Sequence, residues 1–360
     1  MGVLTIPGVR LHTISGVVPG NVVSNQNYDR LTPEERDRLI RATGIEERRF
    51  VDDGSTTTAD LSVQAVRDAM ETAGWAADEV GVLVFVSQMR DYIVPTTAPI
   101  LQQRLGVPTS AIAFDVPLGC SGYVYGLSIA ASLLRGTQAS KGLLVCGDVS
   151  SPLLSPDDKS TYPLFGDASS CTLLERSETA KDMIFDLGTD GSGYDAIIMR
   201  DGGCRRPFHE GSLEIKDHGD GIRHSDMQIH LDGYRIFEFA MTQVIQNIHG
   251  LLDAAGRTID DADHIVLHQA NGLILDSIRK ILNVAPDRIP ISLDRYGNTS
   301  SASIPLTICS MMERAGTDRL TASLLISGFG VGLSYGSAWV NVQDLRSAGI
   351  QDHRPPHDET

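Results

Sequence analysis

The sequence predicts an α/β fold with a mainly parallel sheet that helices cover on both faces. Nearly continuous apolar runs of strand length, for example residues 80–87 and 142–146, alternate with segments such as residues 59–73, where apolar side chains recur at helical spacing. Strands that are apolar on both sides are typical of a sheet buried between helices. The two halves of the chain repeat this alternation, which is consistent with an internal duplication, although no sequence repeat can be read.

The first half is predicted to open with two paired strands within residues 3–18. A helix follows that Thr32 caps and that carries Pro33 in its first turn. The charged residues 46–50 are expected to be exposed. The remaining elements of this half are predicted as helices over residues 59–73, 99–105 and 124–134 and as strands over residues 80–87, 111–114, 142–146 and 171–174.

The strand and helix patterns divide the chain into an N-terminal half over residues 1–179, a C-terminal half over residues 180–346 and a disordered tail over residues 347–360. Residues 202–226 are rich in Gly, His, Asp and Arg and are expected to form a surface insertion or cap. The other elements of the second half are predicted as strands over residues 183–187, 196–199 and 264–268, a glycine-interrupted strand pair over residues 324–342, and helices over residues 236–251, 272–282 and 304–314.

Composition and charge exclude several classes of protein. Apolar residues make up 41% of the chain and charged residues 21%, which is normal for a soluble globular protein. The formal net charge of −16 disfavours nucleic acid as a partner. No run approaches the roughly 20 apolar residues of a membrane span, and the N-terminus lacks the pattern of a signal peptide. The 5 cysteines are odd in number and lack CxxC spacing, so we expect reduced thiols in a cytoplasmic protein rather than disulfides or a zinc site.

Cys120 is the first candidate for a catalytic residue. It lies between an apolar strand and a long apolar helix. A cysteine at a helix start is close to free backbone N–H groups and to the positive end of the helix, both of which favour the thiolate. The alternative is a small buried core cysteine, which is the usual role of a free cysteine. A catalytic role therefore requires a base and an oxyanion site elsewhere in the chain.

His268 and Asn298 are candidates for those two functions. His268 ends a β-branched strand at a turn into a helix, and the ends of parallel strands are where α/β active sites gather. Asn298 lies in a loop of small residues before a helix and could donate a hydrogen bond to an oxyanion. The alternatives are a hydrogen-bonded structural histidine and an asparagine that satisfies the backbone of a turn.

The glycine-rich segment 328–336 matches two short motifs that we reject. Its GxGxG pattern is not followed by a helix that could bind a pyrophosphate. Its GxSxG pattern would make Ser334 a hydrolase nucleophile, but that motif requires a strand, a sharp turn and a helix, whereas here a strand is predicted to follow. The segment is better interpreted as a tight turn that brings backbone N–H groups into a site.

Five motifs occur in an order that resembles the ketoacyl synthase III group of the thiolase superfamily. The resemblance covers residues 3–342. It implies a duplicated five-layer αβαβα thiolase-like fold, a homodimer, and a catalytic triad of Cys120, His268 and Asn298. The motifs are Gly119-Cys-Ser-Gly122, Phe165-Gly-Asp167, His268-Gln-Ala-Asn271, Gly297-Asn-Thr-Ser300 and the glycine turn at residues 328–332.

The resemblance implies a decarboxylating Claisen condensation. An acyl thioester would acylate Cys120, and a malonyl-type thioester would then lose carbon dioxide and attack the acyl group to give a 3-oxoacyl product. His268 and Asn298 would stabilise the enolate, while the backbone N–H groups of Cys120 and Val331 would form an oxyanion hole. The family usually has glycine where Val331 stands, but a backbone donor survives this change. The resemblance implies no metal and no redox cofactor, and thioesters carried on coenzyme A or acyl carrier protein.

Four positions bear on which acyl group and carrier are used. The residues that sandwich the adenine of coenzyme A in the family's primary fatty-acid enzymes align with Arg38 and Ala42, so that stacking surface is lost or rebuilt. A second nucleotide-contacting arginine aligns with Lys159, which keeps the charge. A phenylalanine gate, which the family commonly donates across the dimer, aligns with Val94, and this smaller gate should admit a longer or bulkier acyl group.

The surface that docks acyl carrier protein also departs from the family pattern. Arg279 and Lys280 keep two of its basic positions, whereas Glu238 and Leu273 replace two others. We therefore expect carrier docking to differ from that of the housekeeping enzyme, and we favour specialised lipid, polyketide-type or fatty-acid biosynthesis over the general initiation of fatty-acid synthesis.

Two other functions remain open from the sequence. An acyltransferase of the same fold would make esters or amides without decarboxylation, but such members tend to lack the asparagine that Asn298 provides. A non-catalytic partner subunit of a ketosynthase would not need an intact triad.

Overall fold

A computed structural model describes residues 2–354 of the chain. None of the helices in this range combines the length and the apolar character that a membrane span requires. The strands are β1 (Gly2–Ile6), β2 (Val9–Val18), β3 (Val22–Ser24), β4 (Glu47–Arg49), β5 (Val82–Val86), β6 (Ile112–Val116), β7 (Lys141–Asp148), β8 (Ala168–Arg176), β9 (Met183–Thr189), β10 (Ile197–Ile198), β11 (Lys216–Asp217), β12 (Arg223–His224), β13 (His230–Leu231), β14 (His264–Leu267), β15 (Arg319–Gly330) and β16 (Ser334–Asp352). The α-helices are α1 (Pro33–Thr43), α2 (Thr58–Ala73), α3 (Ala98–Leu105), α4 (Gly122–Gly136), α5 (Gly233–Phe239), α6 (Ile245–Ala255), α7 (Gly272–Ile281), α8 (Leu293–Tyr296) and α9 (Ser303–Arg314).

The large sheet contains the same strand arrangement twice. In the first half the order is β5–β7–β8–β2, and in the second it is β14–β15–β16–β9. Each run begins with a parallel pair and continues with two antiparallel neighbours. The predicted mainly parallel sheet is therefore wrong, because the sheet is mixed. An antiparallel strand covered on both faces is as continuously apolar as a parallel one, so the sequence pattern does not separate them.

Helices form layers on and between the two halves of the sheet. Helix α4 contacts β5 and β7 on one side and β15 and β16 on the other, and α9 likewise contacts strands of both halves. Helix α2 packs against β2 and β8, whereas α6 packs against β9 and β16. Gly126 allows α4 to pack closely, since a Cβ atom there would lie 2.6 Å from a methyl group of Val86. The duplicated five-layer αβαβα arrangement is confirmed.

The structure differs from the prediction for the opening strands and for the C-terminal segment. The opening strands do not pair with each other, because β1 pairs with β9 across the predicted boundary at residue 179 and β2 pairs with β8. Residues 347–352, predicted as part of a disordered tail, instead extend β16 and run parallel to β2. Residues 355–360 of that predicted tail lie outside the described residues.

The segment 46–50 was expected to be exposed, but Arg48 is completely buried. Its guanidinium lies over the rings of Phe50 and Tyr162, at 5.1 Å and 5.5 Å from the ring centroids, and donates a hydrogen bond to the carbonyl of Val23. Burial lowers the pKa of Arg48 to about 10. The prediction was wrong because arginine, unlike lysine, can be buried by stacking its planar group on aromatic rings.

The segment 202–226 is mostly exposed, as predicted for a surface insertion. It contains the short β11–β12 hairpin and bonds to the loop after β7 through a bridge between Asp158 and Ile222. The residues on either side of this segment include Met199 and Ile229, which line a cavity.

Candidate active site

Cys120 lies in the turn between β6 and α4 and is almost completely buried. The neighbouring strand β15 must carry glycine at residue 330 for the cysteine to fit. A Cβ atom on Gly330 would lie 2.6 Å from Cβ and 2.9 Å from Sγ of Cys120, closer than side-chain carbons approach other atoms. The glycine-rich segment thus allows one strand end to pack directly against the thiol.

Three hydrogen-bond donors lie around the thiol of Cys120. They are the backbone N–H groups of Cys120 and Val331 and the hydroxyl of Ser300, all of which act to lower its pKa. The two backbone groups are those predicted as oxyanion donors, and both lie close to the reacting sulfur. Val331 follows Gly330 in a tight turn between β15 and β16, which directs its N–H group toward Cys120.

The Cys120 thiol is nevertheless neutral in this arrangement. Burial raises its pKa to about 12, and the nearby carboxylate of Asp148 also raises it, whereas the three donors lower it. The expectation that the helix start would favour the thiolate is therefore wrong, since burial removes the thiol from water and disfavours its charged form.

We expect the alkylation of Cys120 by iodoacetamide to accelerate about tenfold per pH unit between about pH 7 and 10, because only the thiolate reacts and its fraction rises tenfold per unit below the pKa. The rate would be measured by mass spectrometry in a Cys204→Ser background, since Cys204 is the exposed cysteine among those described. A rate that is already constant above pH 7 would contradict the neutral thiol.

His268 directly follows β14 and is buried against the glycine strand β15. Its backbone N–H bonds to the carbonyl of Ser327, its ring meets the edge of Phe329 at 5.6 Å, and its Nδ1 lies 2.7 Å from the hydroxyl of Ser303. Burial lowers the pKa of His268 to about 3. The ring is therefore neutral, with one nitrogen engaged by the first residue of α9.

Asn298 is fixed by the Phe165-Gly-Asp167 motif. Its backbone N–H donates to Leu164 and its carbonyl accepts from Gly166, so the loop before α9 lies alongside this motif. Gly166 cannot be replaced, because a Cβ atom there would lie 2.2 Å from the carbonyl oxygen of Tyr296. The side-chain Oδ1 of Asn298 accepts the N–H of Ser300 at 3.0 Å, which leaves the amide NH₂ group as its other functional end.

Two cavities meet at Cys120. The smaller, of about 50 Å³, is lined by all three predicted triad residues, Cys120, His268 and Asn298. The larger, of about 310 Å³, contains Val331 and is mainly apolar. Its other lining residues are Gln88, Met89, Cys120, Ser150, Leu153, Phe165, Ile197, Ile198, Met199, Ile229 and Ser300.

The other predicted substrate residues line neither of these cavities. Val94 is 83% exposed, in a loop that also exposes Tyr92 and Ile93. Arg38 lies exposed on α1, and Lys159 is exposed beside Gly221 of the surface insertion.

Arg279 and Lys280 lie on α7 and both form ion pairs with Asp276. Arg279 also donates to the carbonyl of Val284, so its side chain is fixed on the helix end. Asp276 therefore neutralises part of the positive charge that was predicted to dock a carrier protein.

Ser334 is not arranged as a hydrolase nucleophile. It begins β16 rather than a helix, which agrees with the rejection of the GxSxG motif. Its hydroxyl lies 2.6 Å from that of Ser121 and donates to the carbonyl of Val331. Ser334 thereby connects the residue after Cys120 to the turn that presents the Val331 N–H group.

Sequence reasoning missed Gln88, Asp148, Ser300 and Ser303. Ser300 and Ser303 contact triad residues, while Asp148 and Gln88 lie close behind or beside Cys120. Asp148 carried a usable signal, since a carboxylate directly after a buried apolar strand is unusual. The serines carried none, because small polar residues before a helix are common caps. Within residues 2–354, no group of three or more His, Cys, Asp or Glu side chains is placed to hold a metal ion.

The repeated strand arrangement, the helices α4 and α9 between the two halves, and the cysteine between β6 and α4 define a thiolase-like fold. Two family models match: 3-oxoacyl-[acyl-carrier-protein] synthase III over residues 114–191, and the C-terminal domain of the same enzyme over residues 252–342. A β-ketoacyl-[acyl-carrier-protein] synthase III from Rhodopirellula baltica is 33% identical over 352 residues, covering 92% of this chain and 98% of the relative. The chain belongs to the 3-oxoacyl-[acyl-carrier-protein] synthase III family.

Solved structures give the same result. A 3-oxoacyl-(acyl-carrier protein) synthase from Burkholderia xenovorans superposes with a TM-score of 0.90 at 34% identity, covering 97% of this chain and 98% of that structure. The priming β-ketosynthase of the R1128 polyketide pathway superposes with a TM-score of 0.77 at 25% identity, covering 94% and 97% of the respective chains.

Proposed function

We propose that the protein catalyses a decarboxylating Claisen condensation between an acyl thioester and a malonyl-type thioester, giving a 3-oxoacyl product in fatty-acid or polyketide-type biosynthesis. The observation that carries this proposal is the single cavity lined by Cys120, His268 and Asn298. These residues come from three separate strand ends and loops, and they meet beside the glycine turn that presents the Val331 N–H group.

The first step transfers the acyl group to Cys120. Sγ attacks the thioester carbonyl, the C–S bond to the carrier breaks, and the thiol proton is transferred to the departing carrier sulfur. The oxyanion of the tetrahedral intermediate accepts from the N–H groups of Cys120 and Val331.

The second step removes carbon dioxide from the malonyl-type thioester. The C–CO₂⁻ bond breaks and its electron pair forms an enolate, whose oxygen accepts hydrogen bonds from His268 and Asn298. With the Ser303 hydroxyl donating to Nδ1, the neutral ring carries its proton on Nε2 and acts as a donor. The carbanion then attacks the acyl carbonyl, and the C–S bond to Cys120 breaks to release the 3-oxoacyl thioester. The departing Cys120 thiolate takes up a proton from solvent, and because neither step needs an oxidant or a reductant, we propose that no metal or redox cofactor takes part.

We propose that the larger cavity holds the acyl chain. Its volume of about 310 Å³ is roughly twice the ~150 Å³ of an engineered apolar site that binds benzene. Its walls are mainly aliphatic, with Met89, Leu153 and Met199 as adaptable members. A medium-length or branched acyl group fits this cavity better than an acetyl group, which would leave most of it empty.

We also propose a cytoplasmic homodimer. The cysteines of the described chain are all free, as expected in a reducing compartment. Tyr92, Ile93 and Val94 expose a contiguous apolar loop, and a second copy of the chain would cover it and bring Val94 to the acyl cavity. Sedimentation equilibrium would test this, and a monomer at micromolar concentration would contradict it.

We propose that acyl carrier protein or coenzyme A delivers the thioesters past α1 and α7. Arg38 and Lys159 would meet the phosphate groups of the carrier, and Arg279 and Lys280 would contribute the charge that Asp276 leaves available. Reversing the charge of Lys159 should raise the KM for the carrier without changing kcat. An unchanged KM would remove this residue from the docking surface.

Intact-mass spectrometry tests the function directly. The protein is exposed to acyl-coenzyme A and acyl-carrier thioesters of graded length, and malonyl thioester is then added while carbon dioxide release is followed. We expect an adduct on Cys120 with medium-length or branched chains, followed by its loss together with carbon dioxide. Acylation without carbon dioxide release would instead identify a non-decarboxylating acyltransferase, and a protein that forms no adduct would fit a non-catalytic partner subunit.

A further inference from the structure

Asp148 is a completely buried carboxylate at the end of β7, directly behind the catalytic cavity. Its Oδ1 accepts from the N–H groups of Gln88 and Met89 at 2.8 Å and 3.3 Å and from the hydroxyl of Ser87 at 3.1 Å. Its Oδ2 accepts from the N–H and the hydroxyl of Ser301 at 3.1 Å and 2.7 Å. One side chain of the N-terminal half therefore fixes the loop after β5 and, across the interface between the halves, the turn before α9.

That turn contacts every member of the triad. Ser300 places its hydroxyl at Cys120 and its N–H on the side-chain oxygen of Asn298, while Ser303 bonds to His268. Ser301 is the residue between them that is anchored to Asp148. The segment of residues 300–303, called here the serine turn, thus determines where the two proposed enolate donors lie.

The serine turn is strained and needs an anchor. Ser300 has a φ angle of +49°, a left-handed conformation that a residue with a Cβ atom rarely adopts. Such residues persist only where their surroundings hold them in place. The two hydrogen bonds from Ser301 to Asp148 are the anchor closest to Ser300 in the chain.

We propose that Asp148 is a positioning residue that holds the serine turn, and through it Asn298 and His268, in the geometry required for decarboxylation of the malonyl-type thioester. The inference rests on the proposed roles of Cys120, His268 and Asn298. Acylation should depend on it much less, because the N–H groups of Cys120 and Val331 lie on other loops. Loss of the Asp148 charge also removes one of the causes that keep Cys120 protonated.

The test is Asp148→Asn with the two half-reactions measured separately. An asparagine keeps the shape but places an NH₂ group against the N–H of either Gln88 or Ser301, so one side of the anchor is lost. We expect the acylation rate of Cys120, followed by quenched intact-mass spectrometry, to stay within about threefold of the native rate. We expect the release of carbon dioxide from malonyl thioester to fall at least about thirtyfold. The expected fall of about thirtyfold is slightly smaller than the usual effect of removing one positioned oxyanion donor.

Asp158→Asn is the matched control. Asp158 is also completely buried, and its Oδ1 accepts from the N–H and the hydroxyl of Ser160, as Oδ2 of Asp148 does from Ser301, but these bonds do not involve the serine turn. It should change both half-reactions by the same factor. Equal losses in Asp148→Asn, or no loss, would overturn the proposal.

Ser301→Ala keeps the proposal testable if Asp148→Asn does not fold. It removes the hydroxyl bond to Asp148 and a longer one of 3.3 Å to the carbonyl of Val86. We expect decarboxylation to fall about three- to tenfold at constant acylation. An unchanged ratio of the two rates would overturn the inference while leaving the proposed function intact. Failure of the native protein to form an acyl adduct would instead overturn the proposed function.

Discussion

Cys120→Ala is expected to abolish acylation of the protein and to lower the rate of condensation by more than about 10⁴-fold. The variant removes the sulfur that lies beside both the Val331 N–H group and the triad cavity. The other four cysteines line neither cavity at Cys120: Cys146, Cys171 and Cys309 are completely buried elsewhere, and Cys204 is exposed on the surface insertion. Intact-mass spectrometry after incubation with an accepted acyl thioester measures the first effect, and product formation measures the second.

Cys171→Ala is the matched control, since it also deletes a buried thiol from the N-terminal half but lies on β8. It should retain the acyl adduct and the rate of condensation. Cys120→Ala should keep malonyl decarboxylation within about tenfold of the native rate, because the proposed enolate donors remain in place. A covalent adduct that persists in Cys120→Ala would show that another residue carries the acyl group.

The parts of the fold that could be predicted are those determined by local pattern. The strand before Cys120 and the strand before His268 are short, mainly apolar runs, and both occur close to where they were expected. Strand direction could not be predicted, because burial on both faces gives parallel and antiparallel strands the same composition. The extension of β16 over residues 347–352 was missed for a related reason: pairing with β2 supplies its order, and the polar sequence carries no sign of that partner.

The candidate active site likewise has features that could be predicted from the sequence and features that could not. Cys120, His268 and Asn298 could be found because their order and motifs resemble a known family. The protonation state of Cys120 could not be predicted, since it depends on burial and on Asp148, which is 28 residues away in the chain and comes from a different strand. Arg48 illustrates the same limit, because its burial depends on stacking with Tyr162, far away in the sequence.

His268→Ala is expected to lower malonyl decarboxylation by about 10²–10³-fold, the usual effect of removing one oxyanion donor. The imidazole is neutral and is held by Ser303, so it would stabilise the enolate through a fixed hydrogen bond rather than through a positive charge. His268→Gln should recover part of the loss, because the amide can place an N–H group near the position of Nε2. Carbon dioxide release from malonyl thioester measures both variants, and His264→Ala, at the start of β14 and outside the cavity, is the control.

The pH dependence of decarboxylation separates this role from that of an ordinary acid or base. Burial lowers the pKa of His268 from 6.5 to about 3, so the ring stays neutral and the rate should be constant between about pH 5 and 8. Over part of the same range the acylation rate should rise with pH, because burial raises the pKa of Cys120 to about 12. Two half-reactions in one cavity would then respond differently to pH, each following the environment of a single residue. A decarboxylation rate that falls with a midpoint near pH 6.5 would show that His268 is accessible to water and is protonated there, which contradicts the buried donor described above.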